Sequence, residues 1–424
     1  MELLFCVIFM CSSKNRKWAK LTDLYRELIA ASILVIVLAV FTIGKSPVFR
    51  VDRAGAAIIG AALMMAFGVL SFEQAAVAVD YRTIVVLFAL MVVVANLKVA
   101  GFFDLLGQLI LRHIKTKCSL LAVTLLLSGL LSAIAINDIV CLLFTPVVIF
   151  VCRQGSVNPL PYLLGLAMAS NIGSVATFLG NPQNILIGNL SHMSFMVYFL
   201  QSAPIAIVGL VILYIMLRWV YKHDLVGDLA VYNKQEIYFH RYLAIKTLLV
   251  LGFIVMLYVL GYDIAVVASL GAAFLLVTRR IKPNKIYISI DFNLLVMFIG
   301  LFVVVGGIEV SGLLDRLTIY IPVETMQNLE VFSMVSIVLS NIVSNVPAVL
   351  LIQYYIPDNS LLHWQALAIF STLAGNLTVF GSIANLIVVE IAKKNNINIT
   401  AKAYFNVGCP LTIILTLLAV IWLA

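Results

Sequence analysis

Polar side chains able to hold an ion or a small solute gather at four places in a chain that is otherwise apolar. The first is Ile136-Asn137-Asp138, followed by Thr145-Pro146. The second runs from Ser170-Asn171 through Gly173-Ser174 and Thr177 to Gly180-Asn181-Pro182-Gln183-Asn184. The third is Ser340-Asn341, then Ser344-Asn345-Val346-Pro347. The fourth runs from Ser371-Thr372 through Gly375-Asn376 and Thr378 to Gly381-Ser382 and Asn385. Amide and hydroxyl oxygens of these types, with freed backbone carbonyls, suit a small cation such as Na⁺. Backbone amides at helix N-termini suit an anion. Gly180-Asn181-Pro182 supplies such ends, because proline removes a backbone donor and clashes with the preceding turn. Gly381-Ser382 is the softer break. Candidate binding residues are therefore Asn137, Asp138, Thr177, Gly180, Asn181 and Asn184, with Ser344, Asn345, Thr378, Gly381, Ser382 and Asn385. Asp138 is a carboxylate deep in an apolar stretch, a costly placement that points to function. Its structural alternative is a helix cap.

Other chemistry finds no residues to carry it. The five histidines are scattered, no two at metal-ligand spacing, and none of the six cysteines forms a CxxC pair. Gly44-Lys45-Ser46 resembles the end of a phosphate-binding loop, but Ala39 stands where its first glycine belongs. No cofactor is expected.

The elements that position these clusters are membrane spans. Of 424 residues, 63% are apolar and 11% charged, and mean hydropathy is +1.12. This excludes a soluble protein and leaves no room for a nucleic-acid-binding domain. Runs long enough to cross a bilayer, about 20 residues each, fall near 28–44, 53–71, 82–100, 162–189 and 203–220. A second set falls near 243–260, 263–278, 292–310, 364–391 and 404–423. Two further stretches, 119–151 and 332–356, break in the middle at polar residues and predict hairpins that enter the membrane and turn back. With the spans alternating, one face collects nineteen Lys and Arg against seven on the other, which predicts that the richer face is cytoplasmic. The division expected is a basic N-terminal segment 1–27, a first transport repeat 28–220, a cytoplasmic linker 221–242 and a second repeat 243–424.

The two halves repeat each other. Asp80-Tyr-Arg-Thr to Gly101-Phe-Phe-Asp104 matches Asp291-Phe-Asn-Leu to Gly312-Leu-Leu-Asp315 at a shift of 211 residues. Ser132 and Asn137 match Ser340 and Asn345 at 208, and Ser170, Thr177, Gly180 and Asn184 match Ser371, Thr378, Gly381 and Asn385 at 201. Five spans per half is an odd number, so the second half enters from the opposite side. The fold class expected is an all-α polytopic membrane protein with an inverted-topology repeat of about five spans, two re-entrant hairpins and two broken helices.

On these residues the chain resembles the ion transporter superfamily, which includes divalent-anion/sodium symporters, citrate permeases, arsenite permeases and certain Na⁺/H⁺ antiporters. The resemblance rests on Ser170 to Asn184, on Asn137 with Pro146, and on Ser344-Asn345, and covers about 28–424. It implies ion and substrate sites at Asn137, Gly180 and Asn181 in one half and Ser344, Asn345 and Gly381 in the other. Na⁺ would be held at Asn137, Gly180, Ser344, Asn345 and Gly381. It also implies a homodimer, and a separate ATPase subunit only for an arsenite-permease-like member. Dicarboxylate symporters of the family resemble Ser-Asn-Thr at both tips, whereas Asn137 is followed here by Asp138 and Asn345 by Val346. That weighs against di- and tricarboxylates.

The expectation is a secondary active transporter of a small ion, an anion or oxyanion, coupled to a Na⁺ or H⁺ gradient by alternating access in a bacterial inner membrane. The alternative is a Na⁺/H⁺-type cation antiporter with Asp138 as proton carrier. An integral-membrane enzyme would need paired aspartates, a Ser-His or Ser-Lys pair or a metal cluster in the spans, and the sequence offers none.

Overall fold

The computed structural model describes residues 24–44, 49–230, 238–277, 282–314, 316, 322–357 and 360–423. Most of the basic segment 1–27, Lys45 and Ser46, the middle of the linker 221–242, Arg279, Arg280 and Asp315 lie outside the described residues. Among the described residues every regular element is helical, apart from one isolated antiparallel bridge between Thr116 and Asp228.

Two compact units divide the chain. The first holds residues up to Asp80 together with Asn293–Thr325. Its helices are α1 (Leu24–Ile43), α2 (Arg53–Ala66), α3 (Phe72–Ala78) and α14 (Phe292–Val310). The predicted span 53–71 is corrected here. The helix stops at Ala66, Gly68 turns the chain at φ +67°, and Ser71 with Gln74 forms a reciprocal cap that starts α3. A cap satisfies orphan amides, so a new helix is cheaper than continuation of the old one. Gly300 meets α2 closely, since a Cβ there would lie 2.6 Å from the Ala57 carbonyl carbon.

The second unit holds Tyr81–Phe292 and Met326–Ala424. Its first half contains α4 (Tyr81–Val99), α5 (Phe102–His113), α6 (Lys117–Ile134), α7 (Asn137–Gln154), α8 (Leu160–Ser174), α9 (Pro182–Ser191) and α10 (Phe195–Val220). Next come α11 (Arg241–Val259), α12 (Ile264–Leu276) and α13 (Pro283–Tyr287). Beyond Met326 lie α15 (Leu329–Val343), α16 (Asn345–Ile352), α17 (Leu361–Ala374), α18 (Ile383–Lys394) and α19 (Ala401–Leu423). Across the described residues eight helices of 18 or more residues are apolar enough to cross a membrane: α1, α4, α6, α7, α10, α11, α14 and α19. Helix α5, which no apolar run announced, carries Asp104 in its first turn and Arg112 in its last.

The hairpin at 119–151 is two helices of 18 residues, each about 27 Å long at 1.5 Å per residue. They are parted at Ala135 and Ile136, both in extended or non-helical backbone. Both outer ends return to one place. The Lys115 carbonyl accepts from Leu229 N at 2.8 Å, and the Gly155 carbonyl accepts from Ala230 N at 3.2 Å. A hairpin that returns to its starting side leaves the odd span count of each repeat unchanged, whatever depth its arms reach. The second hairpin, α15 and α16, is shorter; the Gln327 carbonyl just before it lies 3.2 Å from His363 Nε2 in the first turn of α17.

Candidate functional site

The apolar runs at 162–189 and 364–391 fold as interrupted helices. In each, the chain leaves the helix, makes a one-turn 3-10 helix (Phe178–Gly180 or Val379–Gly381) and re-enters. The two breaks share one conformation. Thr177 sits at φ −140°, ψ 161° and Thr378 at −133°, 161°. Asn181 sits at −151°, 145° and Ser382 at −142°, 144°. The same asparagine ties each break together from 201 residues apart. Asn184 Nδ2 donates to the carbonyls of Ser174 (3.0 Å) and Thr177 (3.4 Å), and Asn385 Nδ2 to those of Gly375 (2.6 Å) and Thr378 (3.2 Å). Carbonyls that lose their helical partner by interruption are thus recaptured by a side chain, as backbone at membrane depth requires.

Both breaks are pressed against a hairpin. A Cβ at Gly180 would lie 2.6 Å from the Ser132 carbonyl oxygen of α6 and 2.5 Å from Ser174 Cα, so no larger residue fits. At Gly381 it would lie 2.8 Å from Asn341 Oδ1 of α15. Asn341 also donates to the Ala374 carbonyl at 2.9 Å and accepts from Thr378 Oγ1 at 3.2 Å. Thr177 Oγ1 donates in turn to the Ala133 carbonyl.

Asn171 joins the two halves. Its Nδ2 donates to Asn376 Oδ1 (3.0 Å) and Asn385 Oδ1 (3.1 Å), and its Oδ1 accepts from Asn137 Nδ2 (3.0 Å) and Ser382 Oγ (3.2 Å). Its repeat mate Thr372 reciprocates, donating to Asn184 Oδ1 at 3.2 Å. Asn345 at the second tip reaches the Gly381 and Ser371 carbonyls, both at 3.0 Å, and Gln183 Nε2 at 3.2 Å, in the amide orientation that satisfies all three. Asn137, Thr177, Gly180, Asn181 and Asn184 are therefore gathered with Asn345, Thr378, Gly381, Ser382 and Asn385 around one buried network. Asn171, Gln183, Asn341, Thr372 and Asn376 lie in the polar clusters of the sequence but are not among the candidate binding residues named from it. For Asn171 the available signal was its alignment, at a shift of 201, with another polar residue, Thr372.

Ser344 forms the second tip at φ +77°, ψ 161°, backbone that side-chain-bearing residues avoid. Such strain persists only where surrounding contacts impose it, and it collects at functional sites. Asp138 is buried in the first turn of α7, where the helix N-terminus favours a carboxylate. Its amide is accepted by Asn137 Oδ1 at 2.9 Å. One turn on, Cys141 Sγ donates to Ser170 Oγ at 3.1 Å.

Buried oxygens without partners are the candidates to hold a small hard cation. Ser132 Oγ and Ser340 Oγ, repeat mates one turn before each tip, are wholly buried and have no hydrogen-bond partner. Asn181 Nδ2 and Gln183 Oε1 are likewise buried without partners. Unpaired polar atoms at that depth cost free energy unless a partner meets them, a cation or donor for the oxygens and an acceptor for the Asn181 N–H.

Two repeats, each with a hairpin and an interrupted helix whose break enters a shared polar network, define an integral membrane transporter. A family model described as citrate transporter matches residues 33–374. The chain belongs to that family. It is 29% identical to the silicon efflux transporter LSI3 of Oryza sativa subsp. japonica, over 90% of this chain and 94% of that one. It is 26% identical to the transporter arsB of Dictyostelium discoideum, over 87% of each. The crystal structure of the Alcanivorax borkumensis YdaH transporter, described as having an unusual topology, is similar in fold. The TM-score is 0.57 at 12% identity, covering 94% of this chain and 97% of that one.

Proposed function

We propose that the protein is a secondary active transporter of a small inorganic oxyanion or its conjugate oxyacid, driven by a Na⁺ or H⁺ gradient through alternating access. The observation that carries this reading is the paired break network. Two interrupted helices and two hairpin tips bring neutral amide and hydroxyl groups into one buried network, and a helix begins just after each break. Neutral oxygens suit the coupling cation and helix N-terminal amides suit an anion. The buried serines Ser132 and Ser340, with Asn137 and Asn345 beside Gly180, Ser344 and Gly381, would hold Na⁺ if that is the coupling ion. The name of the LSI3 relative supports a silicon oxyacid over citrate, the resemblance to arsenite permeases supports arsenite, and a carboxylate at the first tip weighs against citrate as well. The family's name keeps citrate in the test.

A cation antiporter is the second reading. It is favoured by Asp138, the charged member of a repeat pair whose other member is Val346. In either reading the carboxylate couples transport to the gradient. Proteoliposomes given imposed Na⁺ or H⁺ gradients should accumulate labelled arsenite, or germanic acid standing in for silicic acid, but not citrate. Asp138→Asn should reach the membrane and lose at least about tenfold of gradient-driven flux, the scale of removing one intramembrane charge interaction. Wild-type flux with unchanged pH and Na⁺ dependence would make Asp138 structural.

A further inference from the structure

Helices α11 and α12 form an antiparallel pair turned at Gly261, which has φ +88°. Between them runs an open apolar groove of about 700 Å³. Ile245, Leu249 and Phe253 wall it on one side, and Leu270, Gly271 and Phe274 on the other. Gly271 lets the helices close at the groove floor, since a Cβ there would lie 2.6 Å from Ile254 Cδ1. The walls stay open, with Leu249 69%, Leu270 66% and Phe253 56% exposed. One end of the groove is basic. Lys246 Nζ donates to the carbonyls of Phe274 (2.8 Å) and Val277 (3.1 Å) and sits 4.4 Å from the centre of the Phe274 ring. An ammonium has three N–H donors, so these two bonds leave one uncommitted. Arg241 begins α11 at this end, and among the described residues Lys282 and Lys285 follow α12.

We propose that this groove is a binding site for an anionic glycerophospholipid. One acyl chain lies between α11 and α12, and the phosphodiester accepts the third N–H of Lys246. The charge of the rim selects the occupant. A zwitterionic lipid brings a cationic headgroup to a basic rim, whereas an anionic lipid brings net charge of the opposite sign, worth about 1 kcal/mol per basic residue near a membrane surface, or about fivefold in binding. A lysine that only caps the C-terminus of α12 would show no such preference.

Glutamine separates the two roles, because it still donates to carbonyls but carries no charge. The purified full chain is reconstituted with phosphatidylglycerol and phosphatidylcholine, extracted into mild detergent and weighed by native mass spectrometry. Wild type should keep one phosphatidylglycerol and little phosphatidylcholine. Lys246→Gln should lose about fivefold of that preference, with its unfolding temperature in lipid-free detergent unchanged. Should that variant fold poorly, Leu249→Trp fills the groove from an exposed position and should displace the lipid with Lys246 intact. Equal retention of both lipids, or wild-type retention of phosphatidylglycerol in either variant, would overturn the proposal. So would a Leu249→Trp variant that loses a dimer rather than a lipid, since that outcome assigns the groove to a second copy of the chain.

Discussion

At the scale of single residues, the amide of Asn171 holds the centre. An asparagine amide offers two donors and an acceptor oxygen with two lone pairs, and Asn171 uses all four, on residues from both repeats. Hydrogen bonds between membrane helices contribute roughly 0.6 kcal/mol each on average, and buried groups left without partners cost more. Asn171→Ala orphans Asn137, Ser382, Asn376 and Asn385 together. It should lower stability by about 3 kcal/mol, read from unfolding in mixed micelles. A change below about 0.5 kcal/mol would mean that the four partners re-pair without it. Asn171 falls opposite Thr372 at the shift of 201, polar in both halves, but a sequence does not count hydrogen bonds. Thr372 at the mate position can donate once, which is why the two halves are alike without being equal.

At the scale of elements, close backbone approach sets which helices can pack around the breaks. Gly173 on α8 meets Gly129 on α6, and a Cβ at Gly173 would lie 2.1 Å from the Gly129 carbonyl oxygen. Gly173→Ala should therefore force the two helices apart and destabilise the first hairpin by about 3 kcal/mol, the upper range for overpacking. Gly252, within α11, has no atom within 4 Å of such a Cβ. Gly252→Ala should stabilise by up to about 1 kcal/mol through helix propensity alone. Thermal melts of the two variants in one detergent compare these signs, and equal shifts would show that the α6–α8 contact relaxes freely. Sequence located both interruptions because glycine, proline and asparagine mark them chemically. It ran the span on from Ala66 to Ser71 because the turn residues Phe67, Val69 and Leu70 are as apolar as the helix before them.

At the scale of the whole molecule, the repeat and the basic residues fix an expected orientation. The linker 221–242 and the loop 279–285 should face the cytoplasm. Single cysteines introduced at Lys222 and Lys285, in a cysteine-free background, should resist a membrane-impermeant thiol reagent in intact cells and react after permeabilisation. Ready labelling in intact cells would reverse the topology. The described part of the linker is not a slack tether. It bonds to Lys115 and Gly155 at the hairpin's outer ends, and His240 N donates to the Ala100 carbonyl at 2.9 Å. A Cβ at Gly101 would lie 2.2 Å from the Tyr238 carbonyl oxygen, so this strap lies directly on the chain at φ +75°.

The amino-acid sequence alone determined the membrane setting, the two-fold repeat, the places where helices break and the residue types at the breaks. Each of these is a local property: hydropathy over a span, the missing donor of Pro182, or the match of Ser132 to Ser340 and Gly180 to Gly381 at nearly constant shifts. Tertiary structure decided which of those residues meet. Asn171 and Asn385 are 214 positions apart and share a hydrogen bond, and Gln183 meets Thr372 across 189. No spacing rule reaches that far, because such contacts follow from helices crossing in three dimensions. The lysine-rimmed groove is of the same kind. Lys246 reads as one more basic residue near a helix start until the end of α12 is laid against it.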